Sequence, residues 1–234
     1  MGSNDLKKCR VTFLTVGHSP RADIMTDLGN HLSADIEVRQ VGALDHLSVE
    51  QVHEELAPVG DEATMVSRLR NGEMCSFSKE KVMPLVQAAI DREGENGADA
   101  IVILCTNRFD PLTSKVPLLI PYNLIHSLTA VVGAGMKIGA LFPFESHALP
   151  MAENWKETGF DVVYQCRSAA ETAPIDQAVA YYKEQGCQML VMDCIGYDFA
   201  LREQFQQALN VPIIHPRTLI ADLLQNLFQL NPVK

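Results

Sequence analysis

Two stretches far apart in the chain share one plan, and this internal repeat limits the fold more than any other feature. "GADAIVILC" (97–105) and "GCQMLVMDC" (186–194) each open on glycine, run through apolar residues and end on a thiol, so that Gly97, Val102 and Cys105 align with Gly186, Val191 and Cys194. Downstream, "VPLLIPYNLIHSL" (116–128) matches "VPIIHPRTLIADL" (211–223), with a Val-Pro, two apolar residues, a second proline four positions after the first, then Leu-Ile and Leu. Upstream, "RVTFLTVGHS" (10–19) and "KIGALFPFES" (137–146) are weaker partners, each a strand-like run leading into a loop with a serine, Ser19 and Ser146. A repeat of this length, occurring twice, is too short an array for a solenoid. It implies two related halves facing one another, with a crevice between them.

Each half reads as alternating strands and helices. "RVTFLTV" and "GADAIVILC" are short continuous apolar runs, which parallel sheets covered on both faces require. Pro20 suits the first turn of a helix reaching about Leu32, and Ser48 with Gln51 three residues on forms a capping box. The rhythm breaks at "ATMVSRLRNGEMCSFS" (63–78), where Asn71-Gly72 between two strand-like runs signals a hairpin. Ser78 is placed to cap a helix through about Glu95. Further strands are expected at "KIGALF", "DVVYQC", "CQMLVMD" and "VPIIH". Helices are expected around 148–157, 173–184, from Asp198, and from Pro216 to about Gln229. The pattern is α/β with mostly parallel sheets.

Composition narrows the function. The 234 residues suffice for a buried core, and 47% apolar against 21% charged content is ordinary for a globular protein. A formal net charge of −10 with no basic run disfavours nucleic acid as a partner. No apolar run is long enough to span a bilayer, and "MGSNDLKKCR" lacks the apolar core of a signal peptide, so a cytoplasmic protein is expected. Six cysteines then mean free thiols, and no spacing suggests a metal site. "VVGAGMKIGAL" holds a Gly-x-Gly, but it precedes a strand instead of following one, so it does not cradle a dinucleotide phosphate.

Ligands of parallel α/β sheets bind beyond the carboxyl ends of the strands. Cys105 and Cys194 both belong there, each ahead of a loop and an expected helix whose N-terminus would lower the thiol pKa. Two thiols approaching one carbon from opposite faces can exchange a proton across it without a cofactor. The loops "CTNRFDP" and "CIGYDF" supply donors for a carboxylate: Thr106, Asn107, the backbone at Gly196, and Tyr197. Asp193 would raise the thiol pKa if close, but strand alternation points it away from Cys194. Ser19 either contacts the carboxylate or caps a helix, two compatible roles, and Arg21 either pairs with an acidic substrate or faces water. His18, Arg108 and His215 fall near the crevice, with His215 also readable as the residue before a helix-starting proline. A binding or regulatory module with the same crevice and no turnover is the competing class.

The stretches "TVG" (15–17), "APVGDEATMVSRLRNGE" (57–73) with "SKEKV" after it, "MDCIGY" (192–197) and "VPII" (211–214) carry a further likeness. On them the chain resembles the AroM family, within the Asp/Glu/hydantoin racemase superfamily. The resemblance implies an Asp/Glu racemase-like fold: two similar Rossmann-like parallel α/β domains related by a pseudo-twofold, with the hairpin as a small flap. It implies that the last helix packs back on the first half, giving domains at 8–121 plus 215–234 and at 122–214. It also implies a cofactor-independent racemase or isomerase acting on a small carboxylate through Cys194 and Cys105, or a decarboxylase using one cysteine, and a homodimer. Two departures stand out. The first thiol motif typical of the amino-acid racemases, Cys-Asn-Thr, is here Cys105-Thr106-Asn107. The second, Cys-Thr-His, is Cys194-Ile195-Gly196, and the missing histidine argues against glutamate- or aspartate-type racemisation.

Overall fold

The computed structural model describes residues 8–230. The beginning of the polar N-terminal stretch and the last four residues of the first expected domain therefore lie outside the described residues. Two four-stranded parallel sheets carry the repeat. In the first, β1 (Cys9–Thr15), β2 (Ile36–Gly42), β5 (Ala100–Ile103) and β6 (Leu118–Leu119) lie in the order β2-β1-β5-β6. In the second, β7 (Ile138–Phe142), β8 (Val163–Cys166), β9 (Met189–Met192) and β10 (Ile213–Ile214) lie in the order β8-β7-β9-β10. Matching β1 with β7, β2 with β8, β5 with β9 and β6 with β10 makes the two orders identical. The central strands are buried along nearly their whole length, which is why they read as unbroken apolar runs.

Helices α1 (Ala22–Gly29), α2 (Val49–Glu55), α3 (Lys79–Glu95), α4 (Pro121–Val132), α5 (Ala148–Glu157), α6 (Asp176–Glu184), α7 (Phe199–Leu209) and α8 (Pro216–Phe228) complete the layers. The Val-Pro repeats explain how the halves are joined. Each gives a two-residue edge strand in its own sheet, and its second proline then occupies the first turn of a helix, where the absent N–H costs nothing. That helix crosses to the other half. Ile125 of α4 packs with Ile138, Ala140 and Phe142 of β7, while Ile220, Ala221 and Leu224 of α8 pack with Val11 and Phe13 of β1.

Between β2 and α3 the chain inserts the antiparallel hairpin of β3 (Thr64–Arg68) and β4 (Met74–Ser78), to which the second half has no counterpart among the described residues. Its turn is longer than a two-residue loop. Leu69 N–H donates to Glu73 O, and Gly72 takes φ +90°, the left-handed region that glycine enters without strain. Ser67 Oγ accepts from Gly17 N–H at 3.0 Å and Arg68 O accepts from His18 N–H at 3.1 Å. A side chain at Gly17 would collide with Arg68 O, so the flap is seated tightly on the loop after β1.

Several boundaries differ from expectation. α1 begins after Pro20 and ends at Gly29, short of Leu32. Ser48 and Gln51 do form a reciprocal capping box, whereas Ser78 precedes α3 without a side-chain cap bond. Cys105 is followed by an irregular segment leading to β6, not by a helix. Only Cys194 has a helix, α7, beginning soon after it. No helix of the described residues is long and apolar enough to cross a membrane.

Candidate active site

Each thiol stands two residues beyond the end of its strand, Cys105 after β5 and Cys194 after β9. Both line one cavity of about 420 Å³ that lies at the carboxyl ends of both sheets. The flap forms part of its wall through Val66, Arg68 and Met74, and the second half contributes Phe144, Met151 and Ala169. The size falls within the usual range for small-molecule sites.

The two thiols share a backbone device. Asn107 N–H donates to Cys105 Sγ at 3.4 Å, and Gly196 N–H donates to Cys194 Sγ at 3.3 Å. A donor two residues on, repeated in both halves, stabilises a thiolate at either position. Burial works against it. It pushes Cys105 up to about 11, with the Asn107 N–H and the Arg21 charge acting in the opposite direction. It pushes Cys194 up to about 12, opposed by the Gly196 N–H and Arg21 but reinforced by Asp193 and Cys105. The expectation of a lowered thiol pKa is therefore corrected. No helix begins behind Cys105, and the desolvation of both sulfurs outweighs the donors around them.

Arg21 forms part of the cavity wall and is largely buried, so it does not simply face water. Its guanidinium forks onto Asp23, with Nε–Oδ1 at 2.9 Å and Nη2–Oδ2 at 2.8 Å. Arg68 of the flap reaches the same carboxylate at 3.6 Å. Burial alone would raise the Asp23 carboxyl, but the hydrogen bonds and charge of Arg21, helped by Arg68, hold it below its ordinary value. Thr106 and Gly196 also line the cavity, as does Asn107. Thr106 Oγ1 donates to Asp193 O at 3.4 Å.

Two expected donors lie elsewhere. Ser19 is held by Asp45, whose carboxylate accepts from Ser19 N–H at 2.8 Å and Ser19 Oγ–H at 2.7 Å. The same carboxylate takes Gly42 N–H, so it ties the loops after β1 and β2 together, and Ser19 neither faces the cavity nor caps α1. Tyr197 is fully buried. A turn closed by Tyr197 N–H to Cys194 O sends the ring into the core of the second half, where its hydroxyl donates to Arg167 O at 2.8 Å. Arg108 pairs with exposed Glu157, His18 is buried against Leu47 O, and buried His215 donates through Nε2 to Tyr197 O.

Asp193 does turn away from Cys194, toward Trp155 of α5, whose Nε1–H donates to Oδ2 at 2.9 Å. Its other oxygen has no partner among the described residues. Burial raises this carboxyl to about 7 against the lowering effect of the Trp155 hydrogen bond.

Sequence reasoning also missed Arg217, a fully buried cation on α8. Its Nε donates to Ile195 O and Nη2 to Gly196 O, both at 2.8 Å, and Nη1 to Asp27 Oδ2 at 2.6 Å. A trans peptide points its C=O and N–H in opposite directions. Holding Ile195 O from behind therefore aims Gly196 N–H forward at Cys194 Sγ. Glycine is required here, since a Cβ on residue 196 would stand 2.8 Å from Ala169 Cβ and 3.3 Å from Cys194 Sγ. Arg217→Ala should cost about 3 kcal/mol, the scale for breaking one side of a buried charged network. A urea-unfolding midpoint unchanged from wild type would contradict this.

Among the described residues no group of His, Cys, Asp or Glu converges in a way that could hold a metal ion. The site's own chemistry is two thiols, a forked arginine and backbone N–H groups.

Two matched parallel α/β halves, each sending one thiol to a shared cavity, define the class of architecture. The family model described as AroM protein matches residues 11–228, and the chain belongs to the AroM family. No curated protein matches it in sequence. Among solved structures it is similar to an allantoin racemase from Klebsiella pneumoniae, with a TM-score of 0.61 at 13% identity over 95% of this chain and 88% of that one. It is also similar to a maleate isomerase from Pseudomonas putida with maleate, with a TM-score of 0.60 at 9% identity over 96% and 93%. An aspartate racemase from Picrophilus torridus gives a TM-score of 0.52 at 13% identity over 95% and 96%. At these identities the likeness establishes the fold.

Proposed function

We propose that this protein is a cofactor-independent racemase or isomerase acting on a small carboxylate in the crevice between its halves. The observation that carries the reading is the placement of Cys105 and Cys194 on one cavity, each with a backbone N–H at its sulfur. The substrate carboxylate is held at Arg21 and the loop donors. One thiolate takes the α-proton, so the C–H bond breaks, an S–H bond forms, and the electron pair moves into the carboxylate as an enediolate. The other cysteine gives its S–H proton to the opposite face and is left as thiolate. The protein ends with the two sulfurs' protonation states exchanged, and solvent resets them. Arg21, which lowers both thiols, is the cation nearest in role to stabilising the developing charge.

The test is α-proton exchange in deuterated water, followed by NMR across a panel of chiral carboxylic acids. Because burial lifts both thiols, kcat/KM should rise about tenfold per pH unit from pH 7 to 10 as thiolate forms. Binding of an acid with no exchange at any pH in this range would instead identify a binding module.

A further inference from the structure

We infer that the cavity selects a monocarboxylic acid whose stereogenic carbon bears a bulky apolar group, and that it discriminates against dicarboxylic acids. The inference rests on the proposed function for the location of the reacting carbon, but its own basis is the distribution of charge around the cavity.

The cationic side chains lining the cavity, Arg21 and Arg68, both come from the first half and converge on Asp23. Two positive charges against one negative leave a single positive charge, which matches one carboxylate. The second-half wall offers nothing similar. Among the described lining residues it has no Lys or Arg, and its charged member, Asp198, caps α7 by accepting Leu201 N–H at 2.7 Å. His147 is there too, with Nδ1 paired to Ser146 Oγ at 3.1 Å. The rest of that wall is dominated by Pro143, Phe144, Met151, Ala169 and Ala170, and Val66 and Met74 of the flap add further apolar surface.

An acid bound with its carboxylate at Arg21 and its α-carbon between the thiols directs the larger of its two remaining substituents toward this apolar wall. An apolar group there loses contact with water favourably. A second carboxylate would be desolvated without a cation, on the wall that carries Asp198, which weakens binding. Flexible methionines can also accommodate substituents of differing shape.

The experiment is calorimetric binding of 2-phenylpropionate and of 2-methylsuccinate to the wild type and to Cys194→Ala. The two probes share a methyl-bearing stereogenic carbon, and one has a second carboxylate where the other has a ring. Binding of 2-phenylpropionate at least ~10-fold tighter than 2-methylsuccinate is expected in both proteins, about 1.4 kcal/mol or more. Met151→Arg, which places a cation on the apolar wall, should reverse the order. Equal affinities, tighter binding of 2-methylsuccinate, or no binding of either acid at 10-fold molar excess over millimolar protein would overturn the inference. Failure here is separable from failure of the proposed function. Selective binding without deuterium exchange sinks the catalytic reading and leaves the selectivity standing, whereas exchange on a dicarboxylate does the reverse.

Discussion

Cys194→Ala and Cys105→Ala should each lower interconversion of the two enantiomers by about 10³-fold, the scale of a lost general acid or base. Each variant should still wash deuterium into one enantiomer. With one sulfur left, a proton can leave and return only on the face that sulfur occupies, so exchange continues with configuration retained. The two variants should therefore be complementary, one labelling the R and the other the S acid. Burial raises both thiols, so residual exchange in either variant should speed up as pH rises. Chiral chromatography combined with NMR of the α-position reads both quantities. Residual exchange on the same enantiomer in both variants would rule out opposed thiols, and full interconversion in either would remove that cysteine from the chemistry.

Such a test could be framed from the sequence because the repeat is expressed in short-range signals. A glycine, an apolar run and a cysteine at fixed spacing mark a buried strand and its end. Val-Pro followed by a second proline marks an edge strand and the start of a helix, which fixed α4 and α8 closely. The features that escaped depend on contacts between distant segments. Arg217 reads as an ordinary surface cation in an amphipathic helix. Only the crossing of α8 onto the first half brings it to Asp27 and the carbonyls behind Cys194. Arg68 looked like a strand residue of a small hairpin until that hairpin was seated against Gly17. Tyr197 was misplaced because the side-chain direction after a tight turn does not follow strand alternation. The thiol pKa values went the other way because a helix expected from the loop sequence after Cys105 is absent, and burial of the sulfur cannot be read from spacing.

The same burial that governs the thiols sets an unusual dependence of stability on pH. His126 stacks on Trp155 with ring centroids 3.7 Å apart and is pulled down to about 4, chiefly by burial and then by the Arg108 charge. His215 is likewise pulled down to about 4 by burial, only partly offset by its hydrogen bond to Tyr197. Each histidine is neutral when folded and charged when unfolded below about pH 6.5, so its contribution to stability is complete above that pH and is lost as pH falls toward 4. Asp193 has the opposite sign. Raised to about 7, it keeps its proton in the folded state while the unfolded chain releases it above about pH 3.8, so acidification over this window favours the fold. Between pH 6.5 and 4 the unfolded chain therefore binds two protons more at the histidines and one fewer at Asp193. The net uptake of one proton gives a loss of about 1.4 kcal/mol per pH unit. Asp193→Asn keeps an oxygen for Trp155 Nε1–H and removes the opposing titration, so its slope within the window should be about twice that of the wild type. Above pH 7 the ordering of the two proteins favours the variant, because the wild type there either carries a buried carboxylate or holds a proton against the solvent. His126→Phe, which preserves the stack on Trp155, should flatten the wild-type slope toward zero. Urea unfolding at pH 7.5, 6, 5 and 4.5 would measure all three slopes. Parallel lines for wild type, Asp193→Asn and His126→Phe would show that these buried groups do not control the acid response, and that the polar layer linking Trp155 to the back of Cys194 is not protonated as its burial requires.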